Sequence, residues 1–280
     1  MKTLIVVTGT DSQILGTWLP SIRQRGKYDG DILFVDYDLL YSSLKILKEQ
    51  RNITIKKTKQ VYKHISGDRM RAFFECLKSV WQNYDVIAIM DGDLEFFKPL
   101  APLFEMAKEK ICYVKEPIYL HSNQQDNDRF HYNQFKFPDA NKIWEVLKNE
   151  FMINVGMFVG PAKMIYDVLG WITSYFPYDS HWGADQVLFN ALIYYYKLFP
   201  SQEIDIEWNW LSLNGYYDIG DGKCFNGIMD GKKCIKGEKE IAILHKTGTT
   251  FQFSEKRNAN CKVPAPEILK GVKYSKPPKF

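Results

Sequence analysis

The sequence predicts an α/β protein with a central, mostly parallel β-sheet in a single domain. Short apolar runs that end at glycine or aspartate alternate with longer segments of helical periodicity. Such runs are typical of parallel strands that are covered on both faces. The 280 residues are 45% hydrophobic and 25% charged, which excludes a mainly disordered chain. A sheet of this kind binds its ligands at the carboxyl ends of its strands.

The first half of the chain supplies the clearest elements. Apolar runs that predict strands lie at 4–7, 31–36, 52–56 and 85–90. A helix is predicted before the last of these strands, because an apolar stripe with helical spacing extends from Met70 to Trp81. Ser66 is placed to cap the N-terminus of this helix.

The second half is more mixed. Strands are predicted at 151–159 and 241–244, helices at 164–172 and 187–195, and a long loop or flap at 117–138. No internal repeat or linker divides the chain, so we expect one domain over residues 1–253. A basic extension rich in proline and lysine follows at 254–280, where either a solvated arm or contact with an anionic membrane is expected.

Charge and cysteine content narrow the function class. The net charge of +4 suits anionic ligands such as nucleotides but is too small to indicate nucleic-acid binding. The five cysteines are an odd number without C-x-x-C spacing, which favours free thiols in a reducing compartment, with a Cys224–Cys234 disulfide left open. The first apolar run is too short for a signal sequence or a membrane span, so the expected location is the cytoplasm.

Four common catalytic motifs are absent from the sequence. It contains no G-x-G-x-x-G fingerprint, no P-loop, no G-x-S-x-G elbow and no H-E-x-x-H helix. The four enzyme classes that these motifs mark therefore lose their main sequence support.

Paired aspartates are the best positive signal. Asp91 and Asp93 flank Gly92 at the end of a buried strand. Two carboxylates in this arrangement can hold a hard divalent cation while leaving sites for water and phosphate oxygens. A second pair, Asp36 and Asp38, also follows an apolar strand. Spacing alone does not choose between the pairs, and either could instead serve strand-end solvation or helix capping.

Four sequence blocks, in order, resemble the signatures of family 8 glycosyltransferases. They are the strand and paired aspartates at 85–94, the strand at 154–158, the helix start at 184–190 and the closing segment at 243–248. The resemblance covers roughly residues 1 to 250 and implies the GT-A fold, a Rossmann-like nucleotide-sugar transferase architecture. The chain departs from the family at 249–251, where Thr-Thr-Phe replaces Lys-Pro-Trp, so Lys246 becomes the candidate for the local diphosphate contact.

The resemblance implies a site for a metal ion and a nucleotide diphosphate. Asp91, Asp93 and His245 would hold Mn²⁺ or Mg²⁺, since two carboxylates and an imidazole suit such ions. The residues expected to contact the diphosphate are Arg71, Lys246, Gly92 and Gly248, with Arg69 as a further candidate. Ordinary solvation on a helix surface is the alternative for both arginines.

The nucleoside is expected at the ends of the first two strands. Thr8, Gly9 and Asp11 follow the first strand, where the base and ribose lie in the resembled fold. Asp36 follows the second strand and could reach the same nucleoside. Asp11 is also placed to cap the first helix instead.

Three residues are expected nearest to the reacting sugar. The resemblance places Asp185 and Gln186 near the anomeric centre, with Asn154 close by, and implies retention of configuration. An amide is a poor nucleophile, so Gln186 suits a front-face internal return better than a covalent adduct. The structural alternative for Asp185 is an N-cap, with Gln186 in the first helical turn.

The sequence therefore predicts a metal-dependent retaining glycosyltransferase with a UDP-hexose donor, glucose or galactose by resemblance. The expected acceptor is a hydroxyl of a glycan, a lipid-linked sugar or a protein. Segment 117–138 and the aromatic residues at 207–210 and 216–217 are expected to bind it, although these aromatic residues could equally pack in the hydrophobic core. The alternatives are a sugar-nucleotide-forming nucleotidyltransferase and a degenerate sugar-binding module. A nucleotidyltransferase of this kind usually carries a glycine-rich basic loop after its first strand, and that loop is missing here. The intact motif residues argue against a degenerate sugar-binding module.

Overall fold

A seven-stranded, mostly parallel sheet forms the centre of the protein. The computed structural model describes residues 1–119, 130, 139–175, 183–211, 227–230, 233–236 and 239–246. In chain order the strands are β1 (Thr3–Thr8), β2 (Asp31–Asp36), β3 (Ile53–Lys57), β4 (Val86–Asp91), β5 (Leu94–Phe96), β6 (Ile111–Tyr119), β7 (Phe151–Pro161), β8 (Ser201–Glu203), β9 (Trp210–Leu211), β10 (Gly227–Asp230), β11 (Lys233–Lys236), β12 (Lys239–Glu240) and β13 (Ile243–His245). The central sheet has the order β3-β2-β1-β4-β7-β6-β8, and β7 is antiparallel to both of its neighbours. The predicted α/β class is confirmed.

Helices cover both faces of this sheet. They are α1 (Asp11–Gln13), α2 (Leu19–Gln24), α3 (Tyr41–Lys48), α4 (Ile65–Leu77), α5 (Ala101–Met106), α6 (Ala140–Leu147), α7 (Ala162–Tyr175) and α8 (Ala184–Asn190). The π-helical segments Ile14–Trp18 and Ala191–Tyr196 continue α1 and α8. Within the described ranges, 3₁₀ turns lie at Trp81–Asn83 and Ile206–Asn209.

The alternation of side chains along the strands divides the core into two apolar layers. In β1, Leu4 and Val6 pack on one face with residues of α4, α7 and α8. Ile5 and Val7 pack on the other face with residues of α2 and α5. All four side chains are buried. Because a strand with two buried faces contains no polar alternation, it appears in the sequence as one continuous apolar run.

The helix before β4 begins earlier than the sequence predicts. α4 starts at Ile65 with His64 as its N-cap residue, and the Asp68 amide donates to the His64 carbonyl at 3.0 Å. The prediction of Ser66 as the N-cap is therefore wrong, because Ser66 already lies in the first turn. Trp81, which the apolar stripe includes, lies in the 3₁₀ turn after the helix.

The strands and helices of the second half largely follow the sequence pattern. The predicted strands correspond to β7 and β13, although β13 begins only at Ile243, and the predicted helices correspond to α7 and to α8 with its π-helical segment. Segment 117–138 begins as a strand, since β6 continues to Tyr119. Beyond Tyr119, Phe130 is the one described residue of this segment, and it is buried. Helix α6 is not among the elements that the sequence predicts.

Several sequence predictions lie outside the described residues. They concern Gly248, Tyr216, Tyr217, Cys224 and the extension at 254–280. The domain boundary at 253 therefore stays a prediction. Among the helices in the described ranges, none has the length and apolar character needed to cross a membrane. The cytoplasmic location and the membrane contact of the extension also stay predictions.

The reversed direction of β7 brings polar residues to the sheet edge where β1, β2 and β4 end. Thr8 pairs with Asp91 across the parallel ladder of β1 and β4. Met90 pairs with Met157 across the antiparallel ladder of β4 and β7. The residues of β7 before Met157 therefore extend past the end of β4. A small sheet with the order β5-β13-β9 brings His245, the last residue of β13, to the same edge.

Candidate active site

Three side chains of the metal-ligand type converge at the end of β4. Asp91 ends β4, Asp93 precedes β5, and His245 ends β13, which pairs with β5. The Lys246 amide donates to the Asp93 carbonyl at 3.0 Å, so this strand pairing fixes the histidine beside the aspartates. His245 Nε2 lies 3.2 Å from Asp93 Oδ1 and 3.7 Å from Asp91 Oδ2. Burial lowers the pKa of His245, but the two carboxylates outweigh burial and raise it above the usual value.

The Asp91–Asp93–His245 cluster fits a divalent cation. Its three ligand atoms lie within 4.8 Å of one another. Asp93 Oδ1 is buried and makes no hydrogen bond to any described residue. Burial raises the pKa of Asp91 to about 6, an effect that Asp93 strengthens and Arg69 opposes. A dication would compensate these partly buried carboxylates, and a donor set of two oxygens and one nitrogen suits Mn²⁺ or Mg²⁺.

Arg69 connects the cluster to helix α8. This side chain extends from α4, and its guanidinium donates to Asp91 and, at 2.8 Å, to Asp185 Oδ2. Burial lowers the pKa of Arg69, but Asp91 and Asp185 outweigh burial and raise it above its usual value. The guanidinium therefore stays charged and neutralises part of the acidic charge at the site.

Arg71 points away from the cluster. Two residues along a helix correspond to a rotation of about 200°, so Arg69 and Arg71 lie on nearly opposite sides of α4. Arg71 donates to both oxygens of the buried Asp68 carboxylate, at 2.9 and 3.0 Å, and to the Lys59 carbonyl at 3.0 Å. The arginine that the structure brings to the cluster is Arg69. Contact of Arg71 with a diphosphate stays a prediction.

The first turn of α8 presents two of the predicted sugar-site residues. Gly183 precedes the helix in a left-handed conformation, with φ of 77°, and occupies the N-cap position. The alternative of Asp185 as the N-cap is therefore wrong. Asp185 and Gln186 are both buried. Asp185 Oδ1 accepts from the backbone N–H of Gln186 at 3.0 Å, and Oδ2 accepts from Arg69.

A buried polar network joins Gln186 to the Asp91–Asp93–His245 cluster. Glu116 Oε1 accepts from Asn154 Nδ2 at 2.9 Å and from Gln186 Nε2 at 3.4 Å. Asn154 Oδ1 accepts from Asn209 Nδ2 at 3.1 Å. Asn209 Oδ1 lies 3.2 Å from His245 Nδ1. The structure thus brings Asn154, Gln186 and His245 into one continuous set of contacts.

Two members of this network do not stand out in the sequence. Asn209 belongs to the aromatic segment 207–210, where its neighbours favour a sugar-stacking or core role. Glu116 lies inside β6, where Lys115 separates it from the apolar run at 111–114, so its position in the sequence does not mark it as a site residue. Both side chains are buried.

Gly156 allows the imidazole to approach strand β7. A Cβ atom on Gly156 would lie 2.1 Å from His245 Cε1 and 2.9 Å from Asn154 Oδ1. Because such distances are far below van der Waals contact, only a residue without a side chain fits beside the ring. The close packing of the His245 ring therefore explains why a glycine stands in segment 154–158.

The ends of β1 and β4 also approach closely at two glycines. A Cβ atom on Gly92 would lie 2.6 Å from the Thr8 carbonyl oxygen and 2.8 Å from Gly9 Cα. A side chain between Asp91 and Asp93 is therefore excluded by the neighbouring backbone. Nucleotide contacts of Thr8, Gly9 and Gly92 stay predictions.

Asp11 and Asp36 both hold nearby backbone. Asp11 accepts from the Leu40 amide at 3.1 Å, and the buried Asp36 accepts from the Leu39 amide at 2.7 Å. Thr10 is the N-cap residue of α1, so the alternative of Asp11 as the cap is wrong. Contact of either aspartate with a nucleoside stays a prediction.

Lys246 is paired with an acidic neighbour. Its ammonium contacts Glu95, whose other carboxylate oxygen accepts from Arg25 at 2.6 Å. A diphosphate bound here would compete with Glu95 for the lysine. Gly248 lies outside the described part of the chain.

Comparison with solved structures identifies the fold as that of the GT-A glycosyltransferases. The chain is similar to WbbM, a bifunctional glycosyltransferase in its apo form, with 13% sequence identity and a TM-score of 0.54. This match covers 88% of the chain but only 46% of WbbM. The chain is also similar to an active-site mutant of LgtC in which glutamate replaces glutamine, with 14% identity and a TM-score of 0.56.

The LgtC match covers 96% of this chain and 99% of LgtC. No family model and no curated protein matches the sequence. The fold expected from the resemblance is confirmed by the structures, and the family 8 signatures are consistent with it.

Proposed function

We propose that the chain is a metal-dependent, retaining glycosyltransferase that transfers a hexose from a UDP-sugar. The observation that carries this proposal is the Asp91–Asp93–His245 cluster at the carboxyl end of β4, beside the buried pair Asp185 and Gln186. The GT-A fold supports it, since two glycosyltransferases share the architecture. Glucose and galactose are the donor sugars to test first.

Asp91, Asp93 and His245 would hold the cation. A divalent ion bound there would stabilise the negative charge that develops on a departing nucleoside diphosphate. Lys246 lies next to the cluster and would exchange Glu95 for a diphosphate oxygen. Arg71 and Gly248 are the remaining diphosphate candidates, and Thr8, Gly9, Gly92, Asp11 and Asp36 are the nucleotide candidates at the adjacent strand ends.

Asp185, Gln186 and Asn154 would orient the transferring sugar. Arg69 holds one oxygen of Asp185, and Glu116 holds the amide nitrogens of Asn154 and Gln186. Side chains held in this way are preorganised, so little reordering is needed when the donor binds. Since an amide is a poor nucleophile, Gln186 is assigned to hold the sugar while the acceptor hydroxyl enters on the face that the diphosphate leaves.

The proposed acceptor is a hydroxyl of a glycan, a lipid-linked sugar or a protein. Segment 117–138 and the aromatic residues around Trp208 are the candidates for its binding. Trp208 and Trp210 are both buried, which favours a core role for these two rings and leaves the acceptor contacts to other residues.

Release of UDP from a panel of UDP-sugars tests this function without a known acceptor. We expect release from one sugar in the presence of Mn²⁺ and none in EDTA. Asp93→Asn should abolish release, whereas Asp38→Asn, at the exposed member of the second aspartate pair, should retain it. No release from any sugar would contradict the proposal. Pyrophosphate release from UTP and a hexose 1-phosphate would instead identify a nucleotidyltransferase.

A further inference from the structure

A completely buried amide stands between strand β7 and the proposed metal ligand His245. Asn209 is 0% exposed and ends the 3₁₀ turn that precedes β9. Its amide nitrogen contacts Asn154 Oδ1 at 3.1 Å, and its oxygen lies 3.2 Å from His245 Nδ1. Asn209 therefore contacts Nδ1 of the imidazole, whereas Nε2 is the nitrogen near Asp91 and Asp93.

A backbone amide fixes the direction of the hydrogen bonds in the series that runs from Gly156 to His245. The Gly156 amide can only donate, and it lies 2.9 Å from one side-chain atom of Asn154, which must therefore be the oxygen. The nitrogen of Asn154 then donates to Glu116 at 2.9 Å. Because the oxygen of Asn154 accepts, the atom of Asn209 that faces it must be the nitrogen.

The orientation of the Asn209 side chain determines which nitrogen of His245 carries the hydrogen. With its nitrogen turned to Asn154, Asn209 presents its oxygen to His245 Nδ1. An amide oxygen can only accept, so Nδ1 must carry the hydrogen. The lone pair of a neutral ring is then on Nε2, the nitrogen that lies 3.2 Å from Asp93 and 3.7 Å from Asp91.

We propose that Asn209 is a positioning residue that selects the Nδ1–H tautomer of His245 and so presents Nε2 to the bound cation. This inference rests on the proposed function. A histidine ligand must offer a lone pair, and a metal-bound histidine usually donates its other ring N–H to a neighbouring acceptor. Asn209 supplies that acceptor here. Gly156 donates the backbone hydrogen bond that orients Asn154, and its lack of a side chain leaves space for the His245 ring.

Three variants test this assignment. Asn209→Leu removes both contacts of the amide, whereas Asn209→Asp keeps an acceptor opposite Nδ1. Asn190→Leu is the matched control, because Asn190 is equally buried but bonds only to the backbone of Ile153 and Gln186 among described contacts. Two readouts besides activity are needed: ¹⁵N NMR of labelled imidazoles, assigned with His245→Ala, and the Kd for Mn²⁺ from electron paramagnetic resonance.

In the wild type loaded with diamagnetic Mg²⁺, we expect the hydrogen on Nδ1. Asn209→Leu should lose this single tautomer and raise the Kd for Mn²⁺ about 10- to 100-fold. Asn209→Asp should keep the Nδ1–H form, and Asn190→Leu should keep both the tautomer and the Kd. An Nε2–H tautomer in the wild type, an unchanged Kd in Asn209→Leu, or an equal loss in Asn190→Leu would overturn the proposal.

The failure of this inference and the failure of the proposed function give different results. If the wild type binds no divalent cation, the metal-dependent function fails, while the tautomer of the neutral ring is still measurable at alkaline pH. If the wild type binds Mn²⁺ and Asn209→Leu keeps the wild-type tautomer and Kd, only the role of Asn209 is wrong. Should Asn209→Leu not fold, the wild-type tautomer and Asn209→Asp still decide the question.

Discussion

Replacing Gly156 by alanine is the substitution with the clearest expected consequence. The added Cβ would lie 2.1 Å from His245 Cε1, where ordinary contacts are 3.4 Å or longer. The difference, 3.4 minus 2.1, is about 1.3 Å, and one of the two groups must move by this amount. Strand β7 is held by its ladder with β4, so the displacement falls on the imidazole.

A displacement of this size removes His245 from the cluster. Metal–ligand distances tolerate deviations of about 0.2 Å. The ring is also held from the other side, since Asn209 contacts Nδ1. We therefore expect Gly156→Ala to raise the Kd for Mn²⁺ at least about 10-fold and to lower the free energy of unfolding by about 1–3 kcal/mol, as overpacking usually does.

The assay is Mn²⁺ titration by electron paramagnetic resonance together with thermal unfolding. Gly160→Ala is the matched control in the same strand, because its Cβ would meet Ile111 Cα at 3.2 Å and needs only a small adjustment. The control should fold less stably at most and bind Mn²⁺ like the wild type. Wild-type Mn²⁺ affinity in Gly156→Ala would refute the reasoning, since the ring would then not be needed where the structure places it.

Three further predictions concern helix α4 and its partners. Arg69→Ala leaves Asp91 without its guanidinium partner, and denaturant titration should show a loss of about 3–5 kcal/mol in the free energy of unfolding. Tyr37→Phe removes a 2.7 Å hydrogen bond to Asp68 and should cost about 0.5–1.5 kcal/mol by the same method. Burial raises the pKa of Asp68, but hydrogen bonds, first among them those from Arg71, outweigh burial and hold it below 3.8. The stabilisation of the fold by ionised Asp68 is therefore present above about pH 4 and lost as the pH falls. The free energy of unfolding, measured from neutral to acidic pH, should thus depend less on pH in Asp68→Asn.

The strands of the first half could be predicted because their local pattern reflects their environment. Runs such as 4–7 and 85–90 are apolar throughout because both faces of the sheet are covered. The same logic marks two aspartate pairs, Asp91 with Asp93 and Asp36 with Asp38, since polar residues directly after a buried strand lie at the ligand-binding edge. The choice of the pair at the end of β4 required the family resemblance. His245 required the family resemblance, because nothing in its spacing connects it to Asp91.

The remaining site residues depend on contacts between distant segments. Glu116 and Asn209 meet Asn154 only because β6 and β9 are brought to β7 by the fold. The choice between Arg69 and Arg71 depends on the rotation of α4 about its axis, and the buried Asp68 attracts Arg71 to the other side. A single sequence does not encode such pairings in any local pattern.

Binding of UDP, measured calorimetrically with Mn²⁺ and again in EDTA, tests most directly the claim that the Asp91–Asp93–His245 cluster holds a cation for a nucleotide diphosphate. We expect binding with Mn²⁺, none in EDTA, and none in Asp93→Asn under either condition. Equal affinity for UDP in Mn²⁺ and in EDTA, or unchanged binding by Asp93→Asn, would contradict it.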